Sequence, residues 1–124
     1  MADDRPKVGI TGKDDLNAFI WKKTNGIVQT GPFKGMQLLQ EECWKDCNLG
    51  PKCLGCYETE LQATIANEVA RLSALDNPKI VNVGCAEVYY AVGLAMLLPK
   101  ATVYAVDIDP DALRIASDAA VINH

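Results

Sequence analysis

The chain has 124 residues, of which 49% are apolar, and a formal net charge of −4 at pH 7. A chain of this length can bury its own core as one domain. The negative charge and the lack of a Lys/Arg cluster argue against direct nucleic-acid binding, which neutralises several phosphates at once. No stretch resembles an export signal or reaches the roughly 20 apolar residues of a membrane span, so we expect a cytoplasmic protein without a membrane partner.

The first third of the chain predicts a short helix followed by two extended arms. Asp14 or Asp15 is suited to cap a helix over LNAFIWKK, and Asn25 or Gly26 is suited to end it in the left-handed conformation. In the following stretch, IVQTGPFKGMQLL, Pro32 and the glycines around it favour a turn between two β-prone arms. This pattern predicts a hairpin or an irregular pair of extended arms.

The segment EECWKDCNLGPKCLGC has no clear period and predicts a loop. It contains four of the five cysteines, Cys43, Cys47, Cys53 and Cys56. Four soft ligands in one loop could surround zinc or an iron–sulfur cluster, but only the last pair has the separation familiar from zinc sites. The alternative is reduced thiols, which agrees with an odd number of cysteines and no export signal. We therefore assign no metal site.

The second half of the chain has a stronger pattern. In YETELQATIANEVARLSAL, apolar residues recur at steps of three and four and predict an amphipathic helix that starts near Tyr57. The apolar face consists of Tyr57, Leu61, Ile65, Val69 and Leu72. Glu58 and Glu60, at the start, are interpreted as acids that complement the helix dipole, with a role at a ligand as the alternative. Asp76, Asn77 and Pro78 break the helix.

After this break the pattern is that of an α/β unit. KIVNVG predicts a strand, VYYAVGLAMLL a helix that ends before Pro99, and ATVYAVD a second strand. Asp109 and Pro110 then form the cap and first position of a second helix, PDALRIASDAAVI. Strand, helix, strand and helix in this order imply two parallel strands joined by a right-handed crossover.

The turn after the first strand indicates a ligand site. Gly84 allows the backbone to leave the strand tightly, Ala86 is small enough for a ligand to approach, and Asp107 ends the second strand. Ligands of open α/β sheets bind at this edge, where a helix N-terminus offers free N–H groups and a carboxylate can accept the hydroxyls of a ribose. These residues predict a nucleoside-type site. The alternative is that the turn only reverses the chain and the acid is a solvated cap.

Two other interpretations of this turn are disfavoured. A dinucleotide motif requires G-x-G-x-x-G, and Ala86 and Tyr89 stand in place of two of its glycines. Cys85 lies at a helix N-terminus, which can lower the pKa of a thiol, but no histidine lies near it in sequence as a partner. We interpret Cys85 as a small residue of the turn.

The two stretches VNVGCAEVYYAVGLA and VYAVDIDPDALRIA together resemble the cofactor motif of the class I S-adenosylmethionine-dependent methyltransferases. Upstream, TGPFKGMQL and LGCYETEL resemble the segment that precedes this motif in a family of bacterial methyltransferase-like proteins. The resemblance covers about residues 30–123. It implies an α/β fold with a partial Rossmann-like, methyltransferase-type βαβα unit, preceded by a helical and hairpin N-terminal segment. Residues 1–56 would hold the helix, hairpin and cysteine loop, and residues 57–124 the helix and the βαβα half, in one compact, truncated unit.

The resemblance also implies a role for individual residues. The loop from Gly84 to Val88 would wrap the methionine portion of S-adenosylmethionine, and Asn82 would support it from the strand. Asp107 would hold the ribose hydroxyls and Ile108 would pack against the adenine. The predicted cofactor-binding residues are Asn82, Gly84, Cys85, Ala86, Glu87, Asp107 and Ile108.

The chain departs from the family pattern at two positions of the loop. Val88 stands where the third small residue is usually glycine, and a β-branched residue resists positive φ at a cost of about 1–2 kcal/mol. Ala86 also replaces a glycine, and its methyl group is accommodated if φ stays negative.

A methyltransferase of this class needs a larger sheet than two strands, and no residue that would face the methyl acceptor can be identified. We therefore assign no catalytic residue. Because two parallel strands leave both edges open, we expect either a fragment of a longer protein or a small protein that completes its sheet as a homo-oligomer. Two functions follow: an incomplete S-adenosylmethionine-binding domain, or a catalytically silent interaction module that keeps the scaffold.

Overall fold

The computed structural model describes residues 12–40, 48–86 and 89–124. Within these segments, helices and strands follow in the order α1 (Lys13–Thr24), α2 (Leu49–Leu54), α3 (Gln62–Ser73), β1 (Lys79–Val83), α4 (Tyr89–Leu97), β2 (Thr102–Val106) and α5 (Pro110–Ile122). A 3₁₀ turn, Thr59–Leu61, leads directly into α3. None of the helices in the described segments is long and apolar enough to cross a membrane.

The first helix confirms the predicted end and corrects the predicted start. Asn25 ends α1 in the left-handed conformation with φ 52°. At the other end, Gly12 is the N-cap residue, so α1 begins ahead of Asp14 and Asp15. Both acids lie in the first turn instead, where negative charge complements the helix dipole.

The predicted irregular pair of extended arms is confirmed. An antiparallel bridge joins Ile27 to Gln37, and the Val28 amide donates to the Met36 carbonyl at 2.9 Å. The turn between the arms closes where the Gly35 amide donates to the Val28 carbonyl at 2.9 Å. We refer to residues 27–38 as the arm segment.

The prediction of a loop over residues 41–56 is wrong for its second part, which contains α2. Pro51 lies in the first turn of this helix, where the missing N–H breaks no hydrogen bond within the helix. Gly55 ends α2 at φ 76°, and the amides of Gly55 and Cys56 close the last turn on the carbonyls of Lys52 and Pro51. Cys43 and Cys47 lie outside the described residues.

The long amphipathic helix is confirmed, but it starts later than predicted. Glu58 adopts the left-handed conformation with φ 46°, which cannot belong to a right-handed helix. The chain then makes the 3₁₀ turn before α3 starts at Gln62. On the predicted apolar face, Ile65, Val69 and Leu72 are half-buried.

The two strands pair in parallel, as the strand and helix order predicts. Their register runs from Lys79 opposite Thr102 to Val83 opposite Val106. Asp109 caps α5, since its side chain accepts from the Asp111 amide at 2.9 Å. The described chain is therefore a mixed structure of helices and a small parallel sheet, compatible with part of an α/β unit.

The core joins the arm segment to α2 and α4. Its buried members include Val28, Phe33, Met36, Leu38, Cys53, Tyr89 and Val92. Phe33 packs its ring directly against α4 at Gly93, where an added Cβ would overlap the ring. At the other end of the segment, the Gln37 amide donates to Asn123 Oδ1 at 2.8 Å, and Asn123 Nδ2 donates to the Gln37 carbonyl at 2.9 Å. These contacts hold the arm segment against the α/β unit.

The sheet is covered on one face and bare on the other. Both α4 and α5 contact β2 on the covered face. On the opposite face, no described element shields Val81 (60% exposed), Val83 (77%), Tyr104 (46%) and Val106 (46%). We call this set of four side chains the bare sheet face.

Candidate functional site

The turn after β1 and the acid after β2 lie side by side at the carboxyl edge of the sheet. The Cys85 amide donates to the Val106 carbonyl at 3.1 Å, which extends the strand pairing into the turn. The Ala86 amide then donates to Asp107 Oδ2 at 2.9 Å. The parallel pairing of β1 and β2 brings both groups to one edge, as the sequence predicts.

The Asp107 carboxylate is organised by backbone donors on both sides. Its Oδ1 accepts from the Asp109 amide at 3.0 Å, while Oδ2 holds the Ala86 amide. These hydrogen bonds lower the pKa of Asp107 below its usual value, and the bond from the Asp109 amide has the largest effect. An ionised carboxylate has about four acceptor positions, so each oxygen can accept a further hydrogen bond from a hydroxyl group.

The backbone of the turn takes left-handed conformations at two residues. Gly84 has φ 65°, and among the described residues nothing would lie within 4 Å of an added Cβ, so the turn borders open space. Ala86 has φ 39°. From the sequence, alanine can replace glycine here if its φ stays negative, and the positive φ of Ala86 does not meet this condition. The reason is tertiary, because this conformation carries the amide that bonds to Asp107.

We expect Ala86→Gly to stabilise the protein by up to about 1 kcal/mol. The left-handed conformation costs a non-glycine residue about 1–2 kcal/mol, which exceeds the entropy that glycine loses on folding. Urea denaturation measures the change. Ala66→Gly, in the exposed interior of α3, is the matched control and should destabilise by about 1 kcal/mol. A loss of stability in both variants would contradict the strain at Ala86.

A cleft of about 200 Å³ lies beside the turn. From the α/β unit it is lined by Asn82, Gly84, Cys85, Ala86, Tyr89 and Tyr90. From the preceding segment it is lined by Lys52, Tyr57 and Glu58. The site is therefore built by residues from both parts of the chain.

Glu58 lines the cleft, although its position at the start of the predicted helix favoured a helix-dipole role over a role at a ligand. Its carboxylate does not cap the following 3₁₀ turn but accepts a hydrogen bond from the Tyr90 hydroxyl at 2.5 Å. Burial first, and then the Glu58 carboxylate, raise the pKa of Tyr90 well above its usual value. The interpretation of Glu58 as a helix-dipole acid did not predict this contact. No local signal could have revealed the contact, since its partner lies 32 positions further along the chain.

Aromatic rings form much of the cleft wall. The Tyr89 ring packs edge to face on Phe33 with centroids 5.1 Å apart and on Tyr57 with centroids 5.6 Å apart. Burial raises the pKa of Tyr89 to about 12. The Lys52 side chain, only 2% exposed, places its ammonium 4.7 Å from the centroid of the Tyr57 ring.

The other predicted site residues take different positions around the edge. Cys85 is buried, and burial and then the Asp107 charge raise the pKa of its thiol, which favours its interpretation as a small turn residue. Asn82 lines the cleft, and in the described part of the chain its side chain makes no hydrogen bond to the turn. Ile108 is fully exposed beside Asp107. Glu87, like Val88, lies outside the described residues.

The two described cysteines of the loop differ in environment. Cys53 is completely buried, whereas Cys56 is exposed. Within residues 12–40, 48–86 and 89–124, no three His, Cys, Asp or Glu side chains come together in a way that could hold a metal ion.

The chain is similar to the release factor glutamine methyltransferase of Flavobacterium psychrophilum. The two sequences are 39% identical over 64 residues, which is 52% of this chain and 22% of that methyltransferase. No family model matches the chain, and no solved structure matches it significantly. The partial similarity suggests a methyltransferase family.

Proposed function

We propose that this chain is an S-adenosylmethionine-binding, methyltransferase-like domain of the class I type, with a partial Rossmann-like unit. The observation that carries the proposal is the Asp107 carboxylate, hydrogen-bonded to the Ala86 amide at the carboxyl edge of two parallel strands. The residues that hold the methyl acceptor would lie outside this chain, in keeping with a similarity that spans 22% of the related methyltransferase. The cytoplasmic location stays a prediction.

The described residues fit such a cofactor in chemistry and in space. Asp107 offers an ionised acceptor for the ribose hydroxyls, and exposed Ile108 offers an apolar surface for the adenine. The described residues leave space open at Gly84, which would let a ligand approach the backbone. The 200 Å³ cleft is smaller than the roughly 300–1,000 Å³ of pockets that enclose drug-sized ligands, so it would take one end of the molecule. S-adenosylmethionine, when bound, supplies an electrophilic methyl group.

Titration calorimetry with S-adenosylhomocysteine and S-adenosylmethionine tests the proposal. We expect a dissociation constant in the micromolar range for the unchanged protein. Asp107→Ala should weaken binding about tenfold to hundredfold, because two hydroxyls lose a charged acceptor and the Ala86 amide loses its partner. Circular dichroism would confirm that the variant is folded.

Asp118→Ala is the matched control for this experiment. Asp118 is an exposed acid of α5 that pairs with Arg114 at 3.2 Å, away from the sheet edge. Exposed pairs of this kind contribute little to stability, so we expect Asp118→Ala to remain folded. Because Asp118 lies away from the sheet edge, its replacement should leave the affinity for both ligands unchanged. Absence of heat with millimolar ligand, or equal effects of the two aspartate substitutions, would contradict the proposed function.

The bare sheet face favours a second candidate, a catalytically silent module that self-associates. This face is apolar, and no further strand from the described segments pairs with either edge of the sheet. A homo-oligomer in which a second copy packs on this face would remove these apolar side chains from water. Sedimentation velocity over a range of protein concentrations, combined with no heat in the titration, would support this candidate over the first.

A further inference from the structure

The cleft beside the Gly84 turn carries charges of both signs. Glu58 brings a carboxylate and Lys52 brings an ammonium, and both residues line the cleft together with the turn. Lys52 is fixed over the Tyr57 ring, and Glu58 is fixed by the Tyr90 hydroxyl. The two charges are thus held on side chains whose positions are set by the aromatic wall.

The backbone at Glu58 shows that its position comes at a cost. A non-glycine residue at φ 46° is strained by about 1–2 kcal/mol, and such strain persists only where surrounding contacts fix it. Here the fixing contacts include the Tyr90 hydrogen bond and the closure of α2 just before it. In this conformation Glu58 lines the cleft, and its side chain makes no capping hydrogen bond to the following 3₁₀ turn.

The half-buried Glu58 carboxylate offers a partner for a positively charged group of a ligand. A free α-amino-acid group has an ammonium and a carboxylate on one carbon, so its ammonium can pair with Glu58. The cleft volume of about 200 Å³ lies below the roughly 300–1,000 Å³ of pockets that enclose a whole drug-sized ligand, so the cleft would take one end of the cofactor. The carboxylate of Glu58 keeps acceptor positions beyond the one used by Tyr90.

We propose that Glu58 binds the α-ammonium of the cofactor's amino-acid end and that Tyr90 is the positioning residue for Glu58. This inference rests on the proposed function, because the amino-acid end enters the cleft only when the nucleoside lies along Gly84 and Asp107. Residues at the sheet edge would therefore bind the nucleoside of the cofactor, and Glu58, from the segment before α3, would bind its amino-acid end.

A pair of ligands separates the two halves of the site. S-adenosylhomocysteine carries the amino-acid end, whereas 5′-methylthioadenosine has the same nucleoside and a thioether but lacks that end. We expect Glu58→Gln to weaken S-adenosylhomocysteine about tenfold and to leave methylthioadenosine unchanged, as measured by titration calorimetry. Asp107→Ala should weaken both ligands.

Two further variants distinguish binding from a structural role. Glu60→Gln makes the same change of charge two residues away, on an exposed side chain, and should alter neither affinity. Tyr90→Phe leaves Glu58 without its orienting hydroxyl, so it should weaken only S-adenosylhomocysteine, by less than Glu58→Gln does.

The outcomes also separate failure of this inference from failure of the proposed function. If the unchanged protein binds neither ligand, the proposed function fails and the inference fails with it. If it binds both, but Glu58→Gln weakens both equally or weakens neither, the proposed function stands and the role of Glu58 is refuted.

Discussion

Replacing Phe33 by alanine is expected to lower the free energy of unfolding by about 3–5 kcal/mol, the usual cost of removing a buried aromatic ring. Phe33 is 2% exposed and contacts the Tyr89 and Tyr90 rings with centroids at 5.1 and 5.9 Å. The ring also packs on Gly93, one turn further along α4. Since a small domain is stable by about 5–15 kcal/mol, this one change removes a large part of the total.

Phe19 is the matched control, because it is the other phenylalanine of the chain. It lies in α1, is 38% exposed and has the Lys23 ammonium 5.6 Å from its ring centroid. We expect Phe19→Ala to cost less than about 1 kcal/mol in urea denaturation. Similar losses in the two variants would mean that the arm segment does not anchor the core. Phe33→Ala should also loosen the tyrosines that line the cleft.

The α/β half of the fold was predictable because its signals are local. β-branched residues favour the strands, and Pro99 ends the helix before it. Asp109 and Pro110 start the next helix, and each of these effects depends only on neighbouring residues. Parallel pairing then follows from the order of elements. The same reasoning placed the Gly84 turn beside Asp107, as the 2.9 Å hydrogen bond from the Ala86 amide confirms.

Helix α2 was missed because long-range contacts stabilise it. It has six residues, too few to show a helical period, and its Gly50 and Pro51 resemble a break. Its first turn is held by Asn17 of α1, whose Oδ1 accepts from the Gly50 amide at 2.7 Å. The sequence does not show that Asn17 and Gly50 are partners, because they lie 33 positions apart.

The backbone of Ala86 and the position of Glu58 were missed for a related reason. Both residues adopt the left-handed backbone conformation, although neither alanine nor glutamate favours it. In each case a partner distant in sequence fixes the local geometry, Asp107 for Ala86 and Tyr90 for Glu58. Local propensity predicts the opposite, so such sites require the folded structure.

Gly55→Ala is expected to destabilise the protein by about 2–5 kcal/mol and to open the cleft. Gly55 has φ 76°, which strains alanine by about 1–2 kcal/mol, and an added Cβ would overlap the Thr30 carbonyl. That obstacle is backbone of the arm segment and cannot rotate aside, so overpacking adds about 1–3 kcal/mol. Urea denaturation measures the loss.

Gly35→Ala separates strain from overlap. Gly35 also has positive φ, 92°, but among the described residues nothing would lie within 4 Å of its Cβ. It should therefore lose only the strain, about 1–2 kcal/mol. Because Gly55 lies between Lys52 and Glu58, only its replacement should also reduce the preference for S-adenosylhomocysteine over methylthioadenosine. Equal stability losses and an unchanged preference in both variants would show that the contact of α2 with the arm segment does not position the cleft.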